Sequence, residues 1–256
     1  MRDALTIAGC TVRRFLHGWL LVVLSVGLAT QLLVLLQGGP LPVQEALLNS
    51  RTFVLGVAFF SSVLLVLVAA GTDLPREIET GTILFILAKP VTRPQIILGK
   101  LLGLMAIGSA SVLLQCLAGS LVLAWRGLPP DSVFMIRLVH LILRIWMVSG
   151  VAMFFSSLFS ELPTLLFCAL TFALGFCMNI LDHVIRYAML DIPIALSLRL
   201  LYYLLPNLNH LNASPHNPVS VQRLCLNVAY TLCYLLLVWA MACGAFAKRE
   251  FQRGQR

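Results

Sequence analysis

The chain has few charges, and acidic ones are the scarcest: ten Asp and Glu against eighteen Lys and Arg in 256 residues, 11% charged and 60% hydrophobic. A soluble domain carries about 25% charged residues, so the composition excludes an ordinary soluble domain and points to a membrane protein. No acidic residue sits plainly in the middle of a long apolar run, which leaves no paired acids for chemistry inside a bilayer. The histidines His17, His140, His183, His210 and His216 form no H-E-x-x-H spacing. The seven cysteines form no C-x-x-C pair and fall mostly inside apolar runs, whereas a zinc site or disulfide framework needs paired spacings in polar loops. They read, like the eight methionines, as apolar core residues. No G-x-x-x-x-G-K-[ST] phosphate loop occurs, since Gly99-Lys100 is followed by Leu101. No basic patch interleaved with aromatics suggests nucleic acid. The sequence therefore predicts no catalytic group, no metal site and no cofactor of its own.

Long apolar runs fill the space that charge leaves. A run of about 18 or more apolar residues can cross the hydrocarbon, and the breaks between runs are rich in Gly and Pro, as at Gln37-Gly38-Gly39-Pro40-Leu41-Pro42 and Arg126-Gly127-Leu128-Pro129-Pro130-Asp131. These predict an all-α integral membrane protein, 1–256 as a single domain, with spans at 18–36, 53–71, 101–125, 138–159, 164–181 and 224–246. Arg2, Arg13 and Arg14 among Leu5, Ile7, Val12, Phe15 and Leu16 predict an interfacial helix before the first span. The stretch from Asp182 to Val221, interrupted by Pro193 and Pro206, predicts amphipathic or re-entrant helices between spans 5 and 6.

Basic residues divide unevenly between the two sides. With the N-terminus inside, one set holds Arg2, Arg13, Arg14, Arg76, Lys89, Arg93, Lys100, Lys248, Arg249, Arg253 and Arg256. Every lysine falls in it. The other side keeps Arg51, Arg126, Arg137, Arg186, Arg199 and Arg223, with Arg144 near its boundary. The bias predicts a multi-pass protein of the cytoplasmic (inner) membrane with both termini cytoplasmic.

Two places break the apolar pattern. Arg137, His140 and Arg144 lie at i, i+3 and i+7, on one face of a helix; either an interfacial helix feeds a short span 4, or a polar stripe of that span faces a wet cavity. The larger break is Asp73–Lys100, DLPREIETGTILFILAKPVTRPQIILGK. Thr72 or Asp73 can cap a helix with Pro75 in its first turn. Gly81 then interrupts, Ile83–Leu87 is too short to span, and Lys89-Pro90 and Arg93-Pro94 bend the chain into span 3. The expected product is a short helix lying on the membrane and a bent connector, so that a push there reaches spans 2 and 3 together. Gly99-x-x-x-Gly103 would let span 3 pack closely against a neighbour.

This segment resembles the signature of type-2 ABC exporter permeases: Glu77-x-x-x-Gly81-Thr82, then Lys89-Pro90-Val91-Thr92-Arg93, then Gly99-Lys100. The layout of the whole chain is similar too, including the small-residue end of span 4 (Ser156-Ser157-Leu158-Phe159-Ser160) and Leu205-Pro206-Asn207-Leu208. The resemblance implies that the loop between spans 2 and 3 holds a coupling helix that docks on a separate ATP-binding subunit. Arg76, Glu77, Glu79 and Thr82 would line that surface, and Gly81 would permit a tight bend. Arg93 and Lys100 would face headgroups or the ATPase. It also implies a second permease subunit, identical or not, surrounded by membrane lipid, with ATP and Mg²⁺ bound by the partner. The alternatives are a membrane-embedded enzyme, or a mechanical or regulatory module driven by the same ATPase and acting on lipid, lipoprotein or an envelope partner.

Overall fold

The computed structural model describes residues 2–16, 22–23, 25–31, 43–87, 91–125, 130–176, 178, 185, 197, 199, 208, 211 and 221–248. All regular structure among them is helical. The elements are α1 (Arg2–Leu16), α2 (Val43–Glu79), α3 (Thr82–Leu87), α4 (Arg93–Trp125), α5 (Ser132–Leu158), α6 (Glu161–Phe176) and α7 (Val221–Lys248); residues 25–31 are helical as well. Among the described residues, four stretches are long and apolar enough to cross a membrane: Ser50–Glu79, Arg93–Trp125, Ser132–Leu158 and Gln222–Ala247, with Glu161–Gly175 a shorter apolar helix. About half of the expected first span, 18–36, lies outside the described residues, and so do nearly all of the helices expected between spans 5 and 6.

Side-chain pairs fix the direction of each helix. Asp73 meets Lys100, Ser62 meets Ser111 and Ser61 meets Gln115; one number rises as the other falls, so α2 and α4 are antiparallel. Arg51 meets Asp131, Thr52 meets Arg137 and Ala70 meets Ser156, so α2 and α5 run side by side in the same direction. The tight turn at Phe159-Ser160 returns the chain as α6, whose Thr164 N–H donates to Ser160 O at 3.1 Å. His140 meets Asn227 and Gly150 lies against Leu235, so α7 runs parallel to α5. The connected long helices thus alternate in direction, as successive membrane crossings must. One end of the bundle carries Asp73, Lys100 and Glu161; the other carries Arg51 and Asp131.

The core follows from this packing. Val54, Ala58, Leu65, Val66, Ile107, Ile145 and Met147 are fully buried between α2, α4 and α5. Polar groups within it are satisfied across helices: Ser62 Oγ and Ser111 Oγ are 2.9 Å apart, and Ser61 Oγ donates to Gln115 Oε1 at 2.8 Å. The outside is apolar instead. Leu113, Leu117 and Leu121 on α4, and Leu162, Leu166 and Leu170 on α6, recur every fourth residue and are all exposed. Such stripes are out of place in water and suit contact with lipid tails. At 1.5 Å per residue the 33 residues of α4 reach about 50 Å, beyond the ~30 Å hydrocarbon. The surplus length of α2 and α4 carries the charged residues.

Candidate functional site: the charged end of the bundle

The helix expected to start at Thr72 or Asp73 is not separate. α2 continues through Pro75 to Glu79 without a break. A proline inside a helix costs about 3 kcal/mol, and tertiary packing overrides that here. Leu74 is buried, and Asp73 is held by three side chains at once. Arg76, Glu77 and Glu79 therefore belong to the last turns of a spanning helix, and the short helix of this region is α3, further along.

Asp73 is the centre of the site. Its Oδ2 accepts from Lys100 Nζ at 2.7 Å and from Thr11 Oγ1 at 3.4 Å, and its Oδ1 accepts from Arg14 Nη1 at 3.2 Å. Glu77, one turn later on the same face, lies 3.5 Å from Arg14 and 2.8 Å from Lys100 Nζ. The Lys100 contact is close, but Glu77 Oε2 makes no aligned hydrogen bond, so its contribution is Coulombic. Two acids and two bases thus alternate in a ring that joins α1, α2 and α4. Burying an ion costs several kcal/mol and is repaid only by multiple partners in good geometry. Lys100, 3% exposed, has two carboxylates, and Asp73 has two cations and a hydroxyl. Lys100, expected to face headgroups or the ATPase, is placed two turns inside α4 on the side turned to α2.

Gly99 and Gly103 bring α1 against that site. A Cβ at Gly99 would lie 2.7 Å from Ala4 O and 2.9 Å from Ile7 Cβ; at Gly103 it would lie 2.9 Å from Thr11 Cβ. The close neighbour of this small-residue stripe is therefore the N-terminal helix, which runs lengthwise beside the start of α4.

The chain leaves α2 through Gly81, whose φ of 71° is in the left-handed region that other residues enter only at a cost. Thr80 N–H donates to Arg76 O at 2.8 Å, Gly81 N–H to Ile78 O at 3.2 Å, and Thr82 Oγ1 to Glu77 O at 3.3 Å. Glu79 and Thr82 are exposed. On α3, Ile83 is fully buried while Phe85 is 77% exposed, so a large apolar side chain projects from the bundle end. Lys89 and Pro90 lie outside the described residues. Past them, the Thr92 N–H donates to Gln95 Oε1 at 3.0 Å and starts α4 as half of a capping box. A cavity of about 530 Å³ opens between these pieces, lined by Thr6, Cys10, Arg14, Glu77, Phe85 and Val91 among others.

Two further contacts hold this end together. Arg76 clamps Glu161 at the start of α6 with a bidentate pair, Nε to Oε2 at 3.1 Å and Nη2 to Oε1 at 2.9 Å. Arg93 Nη1 donates to Phe246 O at 3.3 Å and Ala247 O at 2.9 Å, capping the last turn of α7. Arg93, like Lys100, is thus engaged within the bundle. Sequence reasoning missed Arg14 and Thr11 as members of the site and took Asp73 only as a cap. The available signal was the i, i+4 spacing of Asp73 and Glu77, which puts both acids on one helix face.

Arg137, His140 and Arg144 lie far from this ring. α5 is one unbroken helix capped by Asp131, whose side chain accepts from Phe134 N at 2.9 Å, so no separate interfacial helix precedes the span. His140 is buried; its Nδ1 lies 2.8 Å from Ile136 O and its Nε2 lies 3.0 Å from Asn227 Nδ2. Both bonds form together when Nδ1 carries the proton and Nε2 accepts.

A bundle of alternating long apolar helices, with lipid-type stripes outside and an ion-paired end, defines a multi-pass membrane protein. Residues 13–253, most of the chain, match the family described as ABC-2 family transporter protein, and the chain belongs to that family. A comparison with curated proteins returns no match.

Proposed function

We propose that this chain is the membrane subunit of an ATP-driven exporter. It crosses the cytoplasmic membrane six times with both termini inside, pairs with a second permease subunit, and is driven by a separate ATP-binding subunit that holds ATP and Mg²⁺. Family membership supports a transport permease rather than an enzyme. The sequence has no phosphate loop, and most of its basic residues gather on the side of the Asp73 end, which favours a cytoplasmic placement.

The observation that carries the coupling mechanism is the position of the ion-paired ring directly behind the turn at Gly81. The exposed surface of Glu79, Thr82 and Phe85 is where a partner would dock. Behind it, Asp73, Glu77, Lys100 and Arg14 lock α1, α2 and α4 together. A displacement of α3 is delivered to three helices as one body instead of being absorbed in a flexible loop. Arg76 extends the coupling to α6 and Arg93 extends it to α7.

Cross-linking in native membranes tests the docking surface. A photoreactive residue in place of Phe85 is expected to capture a polypeptide carrying a Gly-x-x-x-x-Gly-Lys-Ser/Thr loop, whereas the same residue in place of Leu117, on the lipid stripe, is not. Equal capture of such a polypeptide from both positions, or from neither, would count against the assignment.

A further inference from the structure

Away from the charge-balanced ring, the bundle holds a cationic site. Arg144 sits near the midpoint of the 27-residue α5, where an uncompensated charge is costly and marks function by default. Its guanidinium carbon lies 5.7 Å from the centre of the Phe59 ring, and its Nε is buried without a hydrogen-bond partner. Two turns away on the same face, Arg137 Nη1 is anchored to Thr52 Oγ1 at 3.2 Å. Between the two arginines lies a cavity of about 180 Å³, given room by Gly56 and walled by Phe59 and Phe60. No acidic side chain among the described residues lines it. Asp131, which attracts Arg137, is itself held by Arg51 and the Phe134 N–H and does not line the cavity. His140, also on the wall, has both ring nitrogens engaged.

A cavity with two guanidinium groups and no carboxylate is matched to an anion. Guanidinium is planar and less strongly hydrated than an ammonium, which suits it to binding carboxylate or phosphate oxygens away from bulk water. The aromatic wall favours a ligand that brings apolar groups with its charge. Phe60, on that wall, is 54% exposed, so the cavity is not sealed on this side. The volume exceeds that of a few waters at about 30 Å³ each and accommodates a phosphate group. We propose that this cavity binds a phosphate-type oxyanion between Arg137 and Arg144, supplied by an anionic lipid headgroup or by free phosphate. This assignment does not depend on the transport reading, because binding can be measured on the chain alone.

Native mass spectrometry of the purified full chain in neutral detergent, titrated with phosphatidylglycerol, phosphatidylcholine and inorganic phosphate, provides the test. Phosphatidylglycerol is expected to be retained over phosphatidylcholine. Losing one charged hydrogen-bond partner is expected to weaken it about tenfold in Arg144→Gln, and Arg137→Gln/Arg144→Gln is expected to remove the preference. Arg144→Lys, which keeps the charge but loses the planar guanidinium, is expected to weaken binding less than Arg144→Gln does, and Arg223→Gln, on the exposed face of α7, is expected to bind as the unaltered chain does. Displacement of the lipid by millimolar phosphate would identify a site open to the free anion, and resistance would identify the headgroup as the source; either supports the oxyanion site. Equal retention of the two lipids, or unaltered phosphatidylglycerol binding in the double variant, would overturn it.

Discussion

Lys100 Nζ lies 2.7 Å from Asp73 Oδ2, with the two side chains only 3% and 5% exposed. Nearly all of the pair's solvation has been exchanged for contacts inside the protein. Arg14, by contrast, is half exposed and reaches the same aspartate from the rim. The two cations of one ring therefore differ in what their removal leaves behind.

Lys100→Met strands Asp73 and Glu77 beside each other with only Arg14 as counter-ion. Breaking a buried pair in this way costs about 3–5 kcal/mol. Arg14→Gln is expected to cost about 1 kcal/mol or less, the range of exposed pairs. Thermal unfolding of the purified chain in detergent should rank Lys100→Met well below Arg14→Gln; equal melting temperatures would contradict the ring's asymmetry.

Packing of α1 gives a second expectation. Thr11 is buried against Gly103, and Gly99 admits the Ala4 carbonyl. Gly99→Val should displace α1 because the obstruction includes backbone, which cannot rotate away. In a chain whose native cysteines, the exposed Cys10, Cys225 and Cys233 among them, are replaced, Thr11→Cys is expected to resist a maleimide and to react once Gly99→Val is added. Equal protection in both would place α1 elsewhere.

Gly81 separates a conformational effect from a steric one. A Cβ there would meet nothing within 4 Å, yet φ is 71°. Gly81→Val is expected to cost about 1–2 kcal/mol in the turn, and Gly81→Asn less, since Asn enters this region more readily. Both should insert into the membrane. ATP hydrolysis by the assembled complex should then stay coupled to transport in the Asn variant and become uncoupled in the Val variant. Like behaviour of the two would remove the turn from the mechanism.

Much of the bundle was legible in the sequence because apolar runs and Gly/Pro breaks are local signals. The runs at 101–125, 138–159 and 224–246 correspond to α4, α5 and α7, each a little longer than its run. What was not legible depended on partners distant along the chain. Asp73 reads as a helix cap until Thr11, Arg14 and Lys100 are brought to it, and only their contacts explain why α2 passes through Pro75. Gly99 and Gly103 were legible as a close-packing stripe, but nothing local says that α1 fills it. Arg137 and Arg144 could be placed on one face by spacing alone; the cavity between them required α2 to run beside α5.

The central claim is that the ring around Asp73 transmits movement from the docking turn to the spans. It is tested most directly by a distance measured across the far end of the bundle. Spin labels at Trp125 on α4 and Leu226 on α7, both exposed, would be placed on a chain whose native cysteines are replaced, assembled with the proposed ATP-binding subunit in lipid nanodiscs. Pulsed electron resonance is then recorded with and without ATP and vanadate. With the ring intact, the α4–α7 distance should change on trapping the nucleotide, and Lys100→Met should abolish the change while ATP hydrolysis persists. A change of the same size in Lys100→Met would contradict the claim.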